Sequence, residues 1–194
     1  MINPKPLIPV VETRLMCTDT ELITAASEGD DNAFRLLVER YQNQVNATVI
    51  GMLGNVTEAD DVAQGVFIRF YQSLDKFRGE SGLGTYLTRI AINLSLNELK
   101  RRQRRFQRFF SFQKSEKPID LPDRSETPER LDDRDLIANA LQQLEPDFRS
   151  IVVLRLVDGY SVKETAEMLD LPMGTVASRL ARAQLKLKTI LKGD

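Results

Sequence analysis

The chain of 194 residues has no histidine, no tryptophan and only one cysteine. The absence of histidine removes histidine-based general bases and histidine metal ligands. The one cysteine, Cys17, cannot form an intramolecular disulfide or a cysteine-rich zinc site. No glycine-rich loop has the spacing of a phosphate-binding P-loop. The sequence therefore predicts no catalytic residues, no metal site and no cofactor, and an enzyme is a poor interpretation.

Long apolar segments are missing as well. No run approaches the roughly 20 apolar residues that a membrane-spanning helix requires. Residues 1–18 lack the basic start and apolar core of a secretory signal. We therefore expect a cytoplasmic protein that does not insert into a membrane. Although 42% of the residues are apolar, none of them follows the two-residue alternation of strands, so the predicted fold is all-α.

The charges are unevenly distributed, although the formal net charge is only −1. Basic side chains dominate residues 100–108, acidic ones dominate residues 120–135, and every charge between residues 171 and 193 is basic. A basic surface is the usual footprint of nucleic-acid binding. Two basic surfaces on either side of an acidic connector suggest two DNA-contacting modules, with weak DNA affinity for the whole chain alone.

Residues 161–180 have the pattern of a helix-turn-helix. Ser161 and Glu164 have the spacing of a capping box, which predicts the start of a helix. The apolar positions of this helix fall on one face: Val162, Ala166 and Leu169. The sequence Asp-Leu-Pro at 170–172 then breaks the helix, which suits the short turn of such a motif.

The second helix of this motif has an apolar inner stripe, formed by Val176, Leu180, Ala183 and Leu187. A rotation of about 100° per residue places Ser178, Ala181 and Arg182 on the opposite face. Small outward residues beside an arginine suit a close approach to the major groove, where base edges are read. The alternative is that both helices belong to an ordinary bundle.

Capping signals and glycines divide the first half of the chain into helices. Thr18 with Glu21 forms a second capping box, and Thr57 with Asp60 is expected to cap a later helix. Glycines are expected to end the first two helices: Gly29, and then Gly51 or Gly54. Residues 77–84 contain three glycines and are predicted to form a mobile loop.

A long helix is predicted from about Thr85 to the basic block. Its inner side consists of Leu87, Ile90, Ala91 and Leu94. The opposite side carries a polar stripe of Tyr86, Arg89, Asn93, Asn97, Lys100 and Arg104. An aromatic ring, two amides and several cations could supply base stacking, base-edge hydrogen bonds and phosphate neutralisation. The alternative is a solvated helix face without a ligand.

Residues 109–130 contain three prolines and no helical periodicity, which predicts a flexible linker. Further along, Pro146 suits the first turn of a helix and Gly159 suits a helix end. The chain is thus expected to have four parts: a disordered tail at 1–17, a helical domain at 18–108, the linker at 109–130 and a second helical domain at 131–194.

Several segments resemble, in order, those of bacterial sigma factors. Residues 58–71 look like the polymerase-binding helix, and residues 77–81 and 85–94 with the arginines that follow look like the promoter-melting segment. Residues 154–161 and 174–180 look like the terminal promoter-reading domain. Two such domains and nothing else form the layout of the extracytoplasmic-function (ECF) group of the sigma-70 family. The resemblance implies a sigma-2-like bundle followed by a sigma-4-like helix-turn-helix domain.

The resemblance implies core RNA polymerase as a partner, through its β′ clamp helices and its β flap. The residues that would contact the clamp helices are Asp60, Asp61, Gln64 and Phe67. The two aspartates could instead serve only the start of their helix, by capping and by the helix dipole. The resemblance also implies promoter DNA as a ligand and an anti-sigma factor as a regulator.

Two sets of DNA-binding residues follow from the resemblance. The loop at 78–84 would hold a base flipped from the non-template strand at the −10 element. The −10 set comprises Arg78, Ser81, Tyr86, Arg89, Asn93, Asn97, Lys100, Arg101 and Arg104. The −35 set comprises Thr175, Ala177, Ser178, Arg179, Ala181, Arg182 and Lys186.

Within the −35 set, Ser178 and Arg182 would reach base edges, while Thr175, Arg179 and Lys186 would lie closer to phosphates. For Arg179, an internal salt bridge with Glu164 or Glu167 is an open alternative.

Three residues depart from the family pattern. Gly65 stands where glutamate is usual, Tyr86 stands where tryptophan is common, and Ala177 replaces a basic residue. The function that the resemblance implies is that of a transcription initiation factor. It would read the −35 element with its helix-turn-helix and melt the −10 element with its first domain. The alternative is an autonomous helix-turn-helix regulator whose first domain senses a ligand or dimerises.

Overall fold

The computed structural model describes residues 17–79, 81–112 and 133–192. All regular secondary structure in these ranges is helical, so the all-α prediction is confirmed. Among the helices described there, none is both long and apolar enough to cross a bilayer. The predicted tail at 1–17 lies almost entirely outside the described residues, as does most of the predicted linker.

Four α-helices and a short 3₁₀ turn form the first domain. The helices are α1 (Asp19–Ser27), α2 (Asp31–Leu53), α3 (Thr57–Tyr71) and α4 (Leu83–Phe112), and the 3₁₀ turn is Leu74–Lys76. The last helix begins two residues before the predicted start at Thr85, so Gly84 is helical rather than part of the loop. It also extends four residues beyond the predicted end of the domain at 108, into the first residues of the predicted linker.

The predicted capping box of α1 is confirmed, because the Glu21 amide donates to Thr18 Oγ1 and the Thr18 amide donates to Glu21 Oε2. The helix α2 ends at Leu53, and Gly54 follows it with a φ of 80°, so Gly54 and not Gly51 is the stop. The predicted cap of α3 by Thr57 was wrong. Thr57 is itself the first helical residue, and Val56 precedes it without a side-chain cap.

The core of the first domain lies between α2, α3 and α4. Its largest fully buried side chains include Leu37, Met52, Phe70, Leu87 and Ile92. The predicted inner side of α4 is confirmed, with Leu87 and Ala91 buried and Ile90 and Leu94 packed at the edge of the same core.

The second domain contains α5 (Asp133–Gln142), α6 (Pro146–Val152), α7 (Val162–Leu169) and α8 (Met173–Lys192). A π-helical turn at Val153–Val157 continues α6 without a break.

The predicted start and stop signals of the second domain are confirmed. Pro146 is in the first turn of α6, and Gly159 lies beyond the π turn with a φ of 78°. The capping box of Ser161 and Glu164 is present, and Asp170 ends α7 in the left-handed conformation with a φ of 52°. The chain therefore turns between α7 and α8 where the sequence predicted.

The inner stripe of α8 packs against α6 and α7. Val176 and Ala183 are fully buried, and Leu180 and Leu187 pack beside them. Ala166 of α7 contributes to this core, as predicted. However, the face of α7 that the sequence analysis did not single out is also buried, because Thr165 is inaccessible and Met168 packs into the first domain.

The two domains pack against each other. Val153, Leu154 and Met168 of the second domain belong to the same buried cluster as the core of the first domain. The sequence analysis treated the two cores as separate, since an apolar residue that faces a distant helix has the same periodicity as one that faces a neighbouring helix.

Candidate polymerase and nucleic-acid interfaces

The helix α3 presents one polar face to solvent. Asp60, Asp61 and Gln64 are exposed there, and Phe67 is half-buried at the edge of the core. The spacing of three and four residues places these side chains on adjacent turns of one helix face. The predicted polymerase-binding set is therefore available at one surface.

Gly65 lies in the middle of α3, where its nearest neighbour is part of α4. A Cβ atom added at Gly65 would be 3.6 Å from Leu94 Cδ1, which is an ordinary van der Waals distance. Sterics therefore do not require glycine at this position, and its cost to the helix, up to about 1 kcal/mol relative to alanine, has no packing explanation.

A cleft of about 350 Å³ opens where the segment before α4 meets the start of that helix. It is lined by Lys76, Phe77, Arg78, Gly79, Ser81, Tyr86, Arg89 and Glu167. Four of these residues (Arg78, Ser81, Tyr86 and Arg89) belong to the predicted −10 set. The sequence analysis did not predict that Glu167, from the second domain, would also line this cleft.

The ring of Tyr86 is held in a fixed orientation. It packs edge-on against Phe77, with 5.1 Å between ring centroids, and it also contacts Phe70. The Tyr86 hydroxyl and Ser73 Oγ form a hydrogen bond of 3.1 Å. A preoriented ring at the edge of a cleft is suited to base stacking. Sequence reasoning did not identify Ser73, because nothing in its local sequence indicates a partner 13 residues away.

The polar stripe of α4 is exposed as predicted. Arg89, Asn93, Asn97, Lys100 and Arg104 all lie at the surface, on successive turns that lead away from the cleft. The ridge they form could follow a single strand from the cleft toward the end of α4.

Arg101 differs from the stripe because it is already ion-paired. Its Nε donates to Glu98 Oε2 at 2.6 Å, and hydrogen bonding to Glu98 raises the pKa of Arg101. Its predicted contact with DNA stays a prediction. Glu98 also accepts from Arg102 and Arg105 at 3.4 and 3.2 Å. This nearly buried carboxylate therefore neutralises one side of the basic block, and the sequence analysis missed it.

The outward face of α8 is open. Ala177, Ser178, Ala181 and Arg182 are exposed, and Thr175 is half-buried at the helix start. Ser178 Oγ donates to the Thr175 carbonyl oxygen at 3.1 Å. Three small side chains around Arg182 leave room for the backbone to approach a groove closely.

Arg179 and Lys186 form ion pairs within the second domain. Arg179 Nη1 is 3.2 Å from Asp147 Oδ2, so the alternative partners Glu164 and Glu167 were wrong. Lys186 Nζ is 2.9 Å from Glu145 and lies over the Phe148 ring. Both acidic partners are well exposed, and exposed pairs contribute little stability. A phosphate could therefore compete for either cation.

Polar side chains line the junction between the domains. Tyr160 Oη accepts from Gln44 Nε2 and donates to Thr88 Oγ1, each at 3.1 Å. Thr48 Oγ1 donates to the Asp158 carboxylate at 3.1 Å. Burial raises the pKa of Asp158 to about 6, against the opposing effect of the bond from Thr48.

Arg149 is almost fully buried at the same junction. It donates to the Met52 carbonyl at the end of α2 and to the Gln142 and Leu144 carbonyls at the end of α5, at 2.6 to 2.8 Å. Burial lowers the pKa of Arg149 to about 10. One guanidinium therefore satisfies acceptors at two helix ends from different domains.

Comparison with known families finds a match for each domain. The Sigma-70 region 2 family matches residues 37–105, and the Sigma-70, region 4 family matches residues 134–187. The RNA polymerase sigma-H factor of Pseudomonas aeruginosa is 35% identical over 175 residues, which cover 86% of this chain and 90% of that protein. The ECF RNA polymerase sigma-E factor of Escherichia coli K12 is 36% identical over 176 residues, covering 86% and 91% of the two chains.

Two solved structures share the fold. One is CnrH in complex with the cytosolic domain of CnrY, with a TM-score of 0.64, 26% identity and coverage of 91% of this chain and 98% of that one. The other is the sigma factor RpoE in complex with the anti-sigma factor NepR from Bartonella quintana. It has a TM-score of 0.65, 24% identity and coverage of 83% and 98%.

Proposed function

This chain belongs to the ECF group of the sigma-70 family, whose members direct RNA polymerase to promoters, and we propose how its surfaces divide that work. The observation that carries the proposal is the presence of three separate exposed surfaces: the polar face of α3, the cleft with the ridge of α4, and the outward face of α8. The relatives do not favour an autonomous regulator. The chain performs no covalent chemistry in this proposal and acts in the cytoplasm, where RNA polymerase works.

The first surface binds core polymerase. Asp60, Asp61 and Gln64 of α3 contact the β′ clamp helices, with Phe67 at the border of the contact. The second domain contacts the β flap. Binding polymerase in this way holds the two domains at a separation that matches the two promoter elements.

The second surface opens the −10 element. The cleft receives a base flipped from the non-template strand, and the fixed ring of Tyr86 stacks beside it. Arg78 and Ser81 border the base, while the ridge from Arg89 to Arg104 follows the strand. Flipping a base costs a few kcal/mol, which these contacts offset.

The third surface reads the −35 element. Ser178 and Arg182 contact base edges in the major groove, and Ala177 and Ala181 allow the close approach. Thr175, Arg179 and Lys186 contact phosphates, the latter two after leaving Asp147 and Glu145. An anti-sigma factor would hold the chain inactive by covering these surfaces, as the partner in the RpoE complex has that name.

Asp61→Ala and Gln64→Ala are each expected to weaken capture of core polymerase by about tenfold, because truncation of a central interface residue costs 1 kcal/mol or more. The measurement is binding of purified core enzyme to the immobilised full chain. Glu28→Ala and Asn46→Ala serve as controls, since they remove an exposed carboxylate and an exposed amide outside the proposed surface. Equal capture by all four variants would contradict the assignment.

Tyr86→Leu is expected to reduce promoter opening by 1–3 kcal/mol, which is the usual loss when base stacking on an aromatic ring is removed. Tyr86→Phe keeps the ring and loses only the bond to Ser73, so its defect should be small. Permanganate reactivity of the holoenzyme–promoter complex measures opening, and run-off transcription measures its consequence. The stacking role would be wrong if both variants opened promoters equally well, or if a promoter already unpaired at the −10 element bound the leucine variant as it binds the parent.

A further inference from the structure

The second domain covers a defined face of the first. Val153 and Leu154 in the π turn are completely buried, and Met168 of α7 is 6% exposed, although all three lie at the surface of their own small domain's core. A π-helical turn bulges the helix and displaces its side chains from α-helical positions. Here the bulge directs apolar residues into the first domain.

The contact is close enough to need glycine in α2. A Cβ atom added at Gly51 would lie 3.0 Å from Val153 Cγ2, and the three atoms nearest to it all belong to Val153. Glycine weakens a helix interior relative to alanine. The position of Gly51 under the buried Val153 therefore has a reason in the contact between domains and none in the first domain alone.

Hydrogen bonds surround this apolar contact. Gln44 and Thr88 of the first domain bond to the Tyr160 hydroxyl, and Thr48 bonds to Asp158. These groups are complementary in donors and acceptors. A surface that happened to be covered would leave polar atoms unpaired, at a cost.

The docked domain obstructs the cleft. Arg89 Nη2 donates to the Glu167 carbonyl oxygen at 3.3 Å, so a cation of the proposed strand path is in contact with α7. Glu167 also lines the cleft, and its carboxylate would repel a phosphate backbone entering there.

We propose that the face of α2 and α4 formed by Gln44, Thr48, Gly51 and Thr88 is a docking surface for the second domain of the same chain. In the free protein the docked domain keeps single-stranded DNA away from Arg89 and the cleft. Core polymerase removes this block when it separates the domains. The inference rests on the proposed function of the cleft and the ridge.

Gly51→Leu tests the docking surface, because a leucine cannot fit under Val153. The matched control is Asn46→Leu, which adds the same side chain to the same helix at an exposed position. Tyr160→Phe removes the hydroxyl shared by Gln44 and Thr88, and Tyr71→Phe on the exposed side of α3 is its control. Far-UV circular dichroism of each full-length variant verifies that it remains helical.

Small-angle X-ray scattering of the free chain measures docking. A compact chain of this length has a radius of gyration of about 16 Å, and Gly51→Leu should increase the measured value while Asn46→Leu leaves it unchanged. Fluorescence anisotropy with a labelled random single strand of about 12 nucleotides measures access to the cleft. Gly51→Leu should bind this probe about tenfold more tightly than the parent chain, a change of 1.4 kcal/mol. Tyr160→Phe should change both quantities in the same direction by less.

Run-off transcription by holoenzyme containing Gly51→Leu should match that of the parent, because polymerase separates the domains in both. No expansion of Gly51→Leu, or a parent chain that is already extended, would overturn the docking. Expansion without tighter binding of the probe would overturn the block. Failure of the parent chain to support transcription would instead refute the proposed function, and the scattering result would stand apart from it.

Discussion

Replacing Arg149 by methionine is expected to lower the free energy of unfolding by about 3–5 kcal/mol, the usual cost of removing one partner from a buried charged network. Methionine fills a similar space but donates no hydrogen bond. The carbonyls of Met52, Gln142 and Leu144 would then lose their shared donor at two helix ends. Each buried acceptor left unsatisfied costs about 1–3 kcal/mol.

Urea unfolding followed by far-UV circular dichroism measures this loss. Arg149→Lys is the informative companion, since it keeps the charge but cannot reach both helix ends with one planar group, so its stability should fall between the other two. Arg35→Met on the exposed surface of α2, where Arg35 pairs only with Glu39, should cost much less. The interpretation fails if Arg149→Met unfolds within about 1 kcal/mol of the parent chain, which is the range of an ordinary substitution.

Asp158→Asn is expected to stabilise the chain at pH 8 by about 2 kcal/mol and to leave stability unchanged near pH 4. A rise in pKa from an ordinary 3.8 to about 6 corresponds to about 3 kcal/mol. We discount this figure to about 2 kcal/mol because the carboxyl is only half-buried. Asparagine has the same shape as aspartate and can still accept from Thr48, but it carries no charge to bury.

The sign of the pH dependence follows from proton binding. Between pH 4 and 6 the folded chain holds the Asp158 proton and the unfolded chain does not, so this group makes stability fall as pH rises through that window. Above about pH 6 its effect is constant. In contrast, the bonds within the capping boxes lower the pKa values of Glu21 and Glu164, and their contributions are lost as pH falls below the ordinary carboxyl range.

Thermal unfolding from pH 4 to 8 therefore compares the parent chain with Asp158→Asn, using Asp75→Asn at an exposed carboxyl as the control. The difference between parent and Asp158→Asn should grow as pH rises from 4 to 6 and stay constant above it. A difference that is the same at every pH would show that the Asp158 carboxyl is not desolvated at the junction.

Local signals in the sequence were sufficient to predict most of the helices. The capping boxes at Thr18 and Ser161, the stop at Gly159 and the turn at Asp170 all depend on residues within four positions of one another. The inner stripes of α4 and α8 were predicted for the same reason, because helical periodicity identifies a buried face without identifying what covers it.

Interactions between distant residues could not be predicted in this way. Glu98 has the local appearance of a surface glutamate, but it gathers three arginines at a nearly buried position. Arg149 lies in a short helix like any exposed arginine, yet it binds a carbonyl 97 residues away. The pairing of Arg179 with Asp147 was missed because the two lie on helices whose relative placement depends on the whole domain.

The hydrogen bonds at the junction connect residues far apart in the chain: 110 positions separate Thr48 from Asp158, and 116 separate Gln44 from Tyr160. During translation at about 5–20 residues per second, Arg89 leaves the ribosome seconds before Glu167 has been synthesised. A nascent chain therefore passes through an interval in which its ridge is uncovered. The order of synthesis itself gives a polymerase or an inhibitor a first opportunity to bind before the chain can close on itself.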